Sequence, residues 1–355
     1  MLVALPALAQ VNPAPVPDQP TTFTVAFTGD VLIHSSVWQS AQSHGSPYNF
    51  KPMFRPTRHL IAGADLAICH LESPVSPDSG NLSGFPRFNA PRQILDGLVY
   101  AGFDGCTTAS NHSNDQGPQG IIGTLTVMEQ AGLVHAGMRA TNDESMIGYY
   151  DVAGAKVANI SATYGLNGIE LPAGRGYMVQ MLNESQILSE ARTAREAGAD
   201  LVVVSIHCCI EYRTLPTDSQ RSLAHRLIAS DDIDLIVTHH AHVVSPIEWV
   251  DGEPVLHGLG NFLSNQSARA GLPAHTQDGV IATVTARHDP DGWRFVDVGV
   301  VPTFVDEPTN GHIIRIADPG SVSFTRTMTA INMLGADVDI FSLPSLSPKV
   351  KSRLD

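Results

Sequence analysis

The sequence predicts an α/β fold with mixed β-sheets flanked by helices. Three observations carry this. Apolar runs alternate with helix-like stretches along most of the chain, two segments read as antiparallel hairpins, and the composition permits a large core. With 355 residues, 43% of them hydrophobic, the chain can fill one big domain or two modest ones.

Residues 1–22 hold a short apolar run ending in Ala7-Leu8-Ala9 and then a Pro-rich linker. The A-x-A shape is one that signal peptidase cuts, so an exported, extracytoplasmic or cell-surface product is expected. No Lys or Arg precedes the run, which leaves open an upstream start or a simple tail. Folding should begin at Phe23, where Phe23-Thr24-Val25-Ala26-Phe27 alternates into a strand. Apolar runs at Ala64 to Ile68, Phe103 to Thr107, Leu201 to Ile206 and Leu235 to Thr238 read as buried strands. Helix-like stretches such as Pro91 to Ala101 and Ser185 to Ala197 come before them. Tyr149 to Thr163 and Gly279 to Val301 carry the turn signals Ala-Gly-Ala and Asp-Pro-Asp-Gly and read as hairpins. The main domain is placed at residues 23–310. Residues 311–355 are a C-terminal extension whose signals weaken after about Gly320 and which is expected to wrap the surface or fray.

Composition excludes some functions. Charged residues make up 16% of the chain and the formal net charge is −14, which disfavours binding nucleic acid by phosphate neutralisation. No window holds the roughly eighteen uninterrupted apolar residues of a spanning helix. The four cysteines, Cys69, Cys106, Cys208 and Cys209, form no C-x-x-C pair, which disfavours a structural zinc site. Cys69 and Cys106 are candidate neighbours in one sheet. A disulfide could join them, but buried free thiols are the expectation.

The fifteen histidines gain meaning from position. Polar residues follow each expected strand: Asp30, then His70 and Glu72, then Asn111, His112 and Asp115, then His207, then His239, His240 and His242. Loops beyond the carboxyl ends of strands converge on one crevice in open α/β sheets. Carboxylates, one amide and several imidazoles suit a pair of divalent ions of manganese, iron or zinc. Two such ions clamp the attacking and leaving oxygens of a phosphoester. Singly, each residue has an ordinary role: Asp30 as a helix cap, Asn111 as a turn residue, His207 as a hydrogen-bonded core histidine. His240 and His242 are stronger, because alternation on an extended segment would put both rings on one side.

The order Gly29-Asp30, Glu72, Asn111-His112, His207 and His240-Ala241-His242 is similar to the calcineurin-like metallophosphoesterases. More closely, the chain resembles the CapA capsule-synthesis family, associated with poly-γ-glutamate. Leu71-Glu72-Ser73-Pro74, Arg87-Phe88-Asn89-Ala90-Pro91, Ser110-Asn111-His112-Ser113-Asn114-Asp115-Gln116-Gly117, Glu211-Tyr212 and Gly258-Leu259-Gly260-Asn261-Phe262 carry that likeness over roughly residues 23–265. It implies two mixed sheets in a four-layer αββα sandwich. Asp30 and His242 would hold the first metal. Glu72 takes the place of a bridging Asp, and Asn111, His207 and His240 would hold the second metal. His112 would be the general acid and Asp115 its orienting partner. Arg87, Glu211, Tyr212 and Asn261 would meet an anionic small-molecule or polymer substrate, and capsule-synthesis membrane proteins are candidate partners. The Asp-x-His of the wider pattern is missing. His34, two positions late, is a candidate ligand, and His239 is not taken as one. At Arg87 and Arg213 alike, a solvated surface role stands beside the substrate-facing one. His59, His135, His225, His257, His275, His288 and His312 are read as surface or structural.

Three functions follow as expectations. The leading one is a metal-dependent hydrolase of phosphoesterase type. The others are cleavage or transfer at an amide of a γ-glutamyl polymer, and a non-catalytic capsule assembly or export subunit.

Overall fold

The computed structural model describes residues 21–306, 308–336 and 338–340. The Ala7 to Ala9 signal-like pattern and most of the Pro-rich linker lie outside these residues. The chain opens with β1 (Thr22–Val31), α1 (Ser35–Ser43), α2 (Lys51–Phe54) and α3 (Arg58–Ile61). It continues through β2 (Leu66–Leu71), β3 (Val75–Ser76), β4 (Ala90–Pro91), α4 (Gln93–Ala101), β5 (Gly105–Thr107), α5 (Gly117–Gln130) and β6 (Val134–Ala136). The hairpin β7 (Gly148–Val152) and β8 (Ala155–Thr163) leads to α6 (Glu184–Glu196), β9 (Leu201–His207), α7 (Asp218–Ile228) and β10 (Leu235–His239). Then come β11 (Ile247–Val250), β12 (Glu253–Leu256), β13 (Asn261–Leu263), the long hairpin β14 (Asp278–Asp289) and β15 (Gly292–Val305), β16 (Ile314–Ile316), α8 (Val322–Ile331) and β17 (Asp339–Ile340).

These strands form two large mixed sheets. The first runs β16-β15-β14-β1-β2-β5-β6, with β13 added beside β1 and β17 beside β15; the second runs β11-β12-β10-β9-β8-β7. Within the first, β1, β2, β5 and β6 are parallel, and within the second β8, β9 and β10 are parallel. Both expected hairpins are antiparallel, at Val152↔Ala155 and Asp289↔Gly292. Strands buried on both faces need apolar residues throughout. β9, Leu-Val-Val-Val-Ser-Ile-His, is buried along its whole length.

Apolar clusters define four layers. Val25, Phe27 and Val284 of the first sheet meet Val157, Val203 and Val237 of the second between the sheets. On the outer face of the first sheet, Ala67 and Cys69 pack with Phe54, Ile94 and Leu98 of the helices. On the outer face of the second, Val202, Val204 and Ile236 pack with Ile187, Ala191 and Leu227 of α6 and α7. The helices start on local caps: Asn183 Oδ1 accepts from the Gln186 backbone N–H at 3.1 Å, and Thr217 and Gln220 form a reciprocal capping box. Past residue 310, β16 extends the first sheet beside β15 and α8 packs on β14 and β15.

Cys69 and Cys106 are register partners on β2 and β5. The structure pairs them as a disulfide and likewise joins Cys208 to Cys209, so the expectation of buried free thiols is corrected. The reason is placement, since parallel neighbours in register bring two Cβ atoms within bonding reach.

Candidate metal centre

Backbone pairing assembles the centre before any side chain acts. Asp30 is in register with His70 of β2 on one side and Asn261 of β13 on the other. Its backbone N–H donates to the Gly260 carbonyl at 2.9 Å. A Cβ on Gly29 would run into that same Gly260 carbonyl, so the close approach of β1 and β13 requires glycine there. In the second sheet, β9 ends on His207 and β10 on His239, register partners. Ser113 Oγ donates to the Thr108 carbonyl at 2.8 Å and accepts from the Ser110 N–H at 2.8 Å. That knot folds the loop after β5 and presents Asn111 and His112.

The side chains form two groups that share Glu72. Glu72 gathers with His207 and His240 in one, and with Asp30 and His242 in the other. Glu72 Oε1 lies 3.8 Å from His207 Nε2 and 3.7 Å from His242 Nε2, while His207 Nε2 lies 2.9 Å from Asn111 Oδ1. Donors bound at about 2.1 Å to one ion sit roughly 3 Å apart at right angles and up to about 4.2 Å apart when opposed, so these spacings suit a shared cation. Both Glu72 oxygens and His240 Nδ1 are buried without a hydrogen-bond partner, which a core with no ligand would find costly. The donor set therefore fits divalent ions.

Other contacts aim these donors. His242 Nδ1 lies 3.0 Å from Asp30 Oδ2 and 3.1 Å from Asn261 Oδ1, which directs Nε2 toward Glu72. His70 Nε2 lies 2.9 Å from His207 Nδ1, and His70 Nδ1 lies 2.8 Å from Thr107 Oγ1. Because a threonine hydroxyl donates or accepts, this relay lets His207 carry its proton on Nδ1 and leave Nε2 free for a cation. His240 and His242 sit at positive φ, 83° and 55°. They reach the site through left-handed turns, not through the extended alternation expected from the sequence; the strand has already ended at His239.

Burial dominates the electrostatics. It pushes Glu72 up to about 7 despite the attraction of His242, and it takes His240 down to about 3 and His34 to about 4. His70 and His207 are likewise held well below the usual imidazole value by burial. Burial would raise Asp30, but bonds from His239 and His242 outweigh it and hold the carboxyl low. For His242 burial acts downward, yet Glu72 and Asp30 lift it to about 9. Glu72 and His242 thus compete for protons in a buried site, and a bound cation would take the place of those protons.

His112 Nδ1 lies 2.7 Å from Asp115 Oδ2, which also accepts from the Phe88 N–H at 2.7 Å. Arg87, Glu211 and Tyr212 line the cavity of about 730 Å³ that opens over Asn111, His112 and His240. Asn261 corrects an expectation: it is fully buried, with its Nδ2 bonded to Gln266 and to the Thr276 carbonyl, so it aims His242 and cannot touch substrate. His34 faces the Leu32 carbonyl and the Asn265 N–H and joins none of the four acid and imidazole groups found among the described residues. His239, passed over in the sequence, lies 3.0 Å from Asp30 Oδ1 and stacks at 4.0 Å on His70. Asn167, whose Oδ1 accepts from Asn111 at 3.2 Å, carries no sequence signal at all.

With this geometry in view, comparison places the chain. Residues 24–266 match the family described as bacterial capsule synthesis protein PGA_cap. The PGA biosynthesis protein CapA of Bacillus subtilis is 28% identical over 250 residues, covering 68% of this chain and 63% of the relative. The capsule biosynthesis protein CapA of Bacillus anthracis is 26% identical over 251 residues, covering 68% and 60%. The matched region thus spans about three fifths of those relatives' length. Among solved structures, a novel phosphatase from Mycoplasma pneumoniae shares the fold with a TM-score of 0.53 at 14% identity, covering 82% of this chain and 96% of that one. The chain belongs to the bacterial capsule synthesis PGA_cap family, on a fold it shares with a phosphatase.

Proposed function

We propose that the chain is a divalent-metal-dependent hydrolase of phosphoesterase type that serves capsule synthesis outside the cytoplasm. The observation that carries the reading is Glu72, a buried carboxylate with no hydrogen-bond partner between the Nε2 atoms of His207 and His242. Glu72, Asn111, His207 and His240 would hold one ion, and Glu72, Asp30 and His242 the other. Bound ions supply Lewis acidity, activating water and offsetting charge on phosphoryl oxygens. The chain's own residues do the rest. Asp115 fixes the His112 ring by its 2.7 Å contact at Nδ1, which leaves Nε2 to deliver a proton to the leaving oxygen. Phe88 packs edge-on against that ring at 4.6 Å and holds its plane.

The relatives' names speak of PGA and capsule biosynthesis; a second reading at the same site is attack at an amide of a capsule polymer, since a Lewis-acidic ion polarises a carbonyl as well, with capsule-synthesis membrane proteins as candidate partners. The test is hydrolysis of aryl phosphate esters by the manganese-loaded chain. His112→Ala should lower turnover about 10²- to 10⁴-fold while bound metal stays unchanged. Full turnover in that variant, or metal loss equal to the activity loss, would contradict the assignment.

A further inference from the structure

Two cavities meet at the centre. The larger, about 730 Å³, and a smaller one of about 360 Å³ share the walls Phe85, His112, Glu211 and Tyr212. The reacting atoms therefore sit at a junction with room on both sides. Glu211 stands at that junction with Oε1 3.8 Å from His242 Nε2. Arg87 is the one lysine or arginine lining either cavity among the described residues, and it belongs to the larger. Beyond the shared walls, the smaller arm is lined by Leu32, Phe88, Ala270 and Leu272, the amides of Asn265 and Gln266 and the imidazoles of His34 and His242. Phe85, 78% exposed, forms part of the partition. Resting on the phosphoesterase reading, we infer that the substrate is a phosphodiester, an internal linkage with one substituent in each cavity, the uncharged one in the smaller arm. A monoester leaves the second cavity unfilled and brings nearly two negative charges at neutral pH against Glu211. A diester brings one. In the step, a water oxygen forms the new P–O bond and the P–O bond to one substituent breaks. The His112 proton goes to that departing oxygen, and the proton lost by water returns to His112 through solvent. Products are a monoester and an alcohol, and the extra charge of the monoester next to Glu211 favours its release.

The experiment compares bis(4-nitrophenyl) phosphate with 4-nitrophenyl phosphate on the manganese-loaded chain, in wild type and in Ala270→Trp and Leu272→Trp, which fill the smaller cavity. The expected result is a kcat/KM at least tenfold higher for the diester, with a diester-to-monoester ratio that falls at least tenfold in the Trp variants. Equal or better use of the monoester overturns the proposal, as does an unchanged ratio in variants that melt like wild type. If both variants melt low, the wild-type ratio decides. A metal-loaded chain that cleaves neither ester removes the phosphoesterase reading itself, whereas monoester preference removes only the substrate class.

Discussion

Glu72 and Glu253 show how one physical rule gives two outcomes. Both carboxyls lose water on folding, and burial raises both, Glu72 to about 7 and Glu253 to about 8. Around Glu72 stand imidazole nitrogens at ligand spacing, so the cost has a use. At Glu253, Oε2 is buried without a partner, and Asp234 adds repulsion. The folded protein keeps that proton up to about pH 8, whereas the unfolded chain releases it near pH 4.3. Over that window the unfolded state binds fewer protons, so stability falls as pH rises. Glu253→Gln should accordingly raise the melting temperature more at pH 8 than at pH 4, read by thermal unfolding; an equal shift at both would contradict this. Residue-level legibility was uneven for a related reason. Asp30, Glu72, Asn111 and His207 stand where strands end, which pattern can locate. His239 and Asn261 hold their partners across the two sheets, at separations of 209 and 19 residues from Asp30 and His242, and no local spacing encodes that.

At the scale of elements, the centre depends on how closely β13 lies against the end of β1. Gly29 and Gly260 make that approach possible, the latter at φ 67°. Gly29→Ala should cost roughly 1–3 kcal/mol by overpacking and, by pushing β13 outward, should loosen the Asn261 contact that aims His242. Denaturant unfolding with metal titration checks both, and wild-type stability with wild-type affinity would contradict the role. The parallel strands were readable because burial on both faces demands unbroken apolar runs, as in Leu201 to Ile206. The two hairpins were readable from their turns. Less readable was the path of residues 240–242, where left-handed φ values replace the strand; only cross-sheet contacts such as the His240 N–H to Asp30 Oδ2 bond at 3.2 Å specify them. The pairing of β16 with β15 was also hidden, since three residues give no period to read.

At the scale of the molecule, two sheets from different parts of the chain face each other across an apolar interior, and each contributes half of the candidate ligands at its carboxyl edge. Asp30, Glu72 and Asn111 come from the first sheet; His207, His240 and His242 come from the second. The sandwich therefore couples folding to the site, and a bound cation should tie the two sheets together. Sharing of Glu72 by two ion sites is open to direct test by anomalous diffraction from crystals of the manganese-loaded chain. Two peaks are expected, one beside Asn111, His207 and His240 and one beside Asp30 and His242, both within coordination reach of Glu72. Metal peaks confined to positions away from Glu72, or none in the loaded protein, would contradict it.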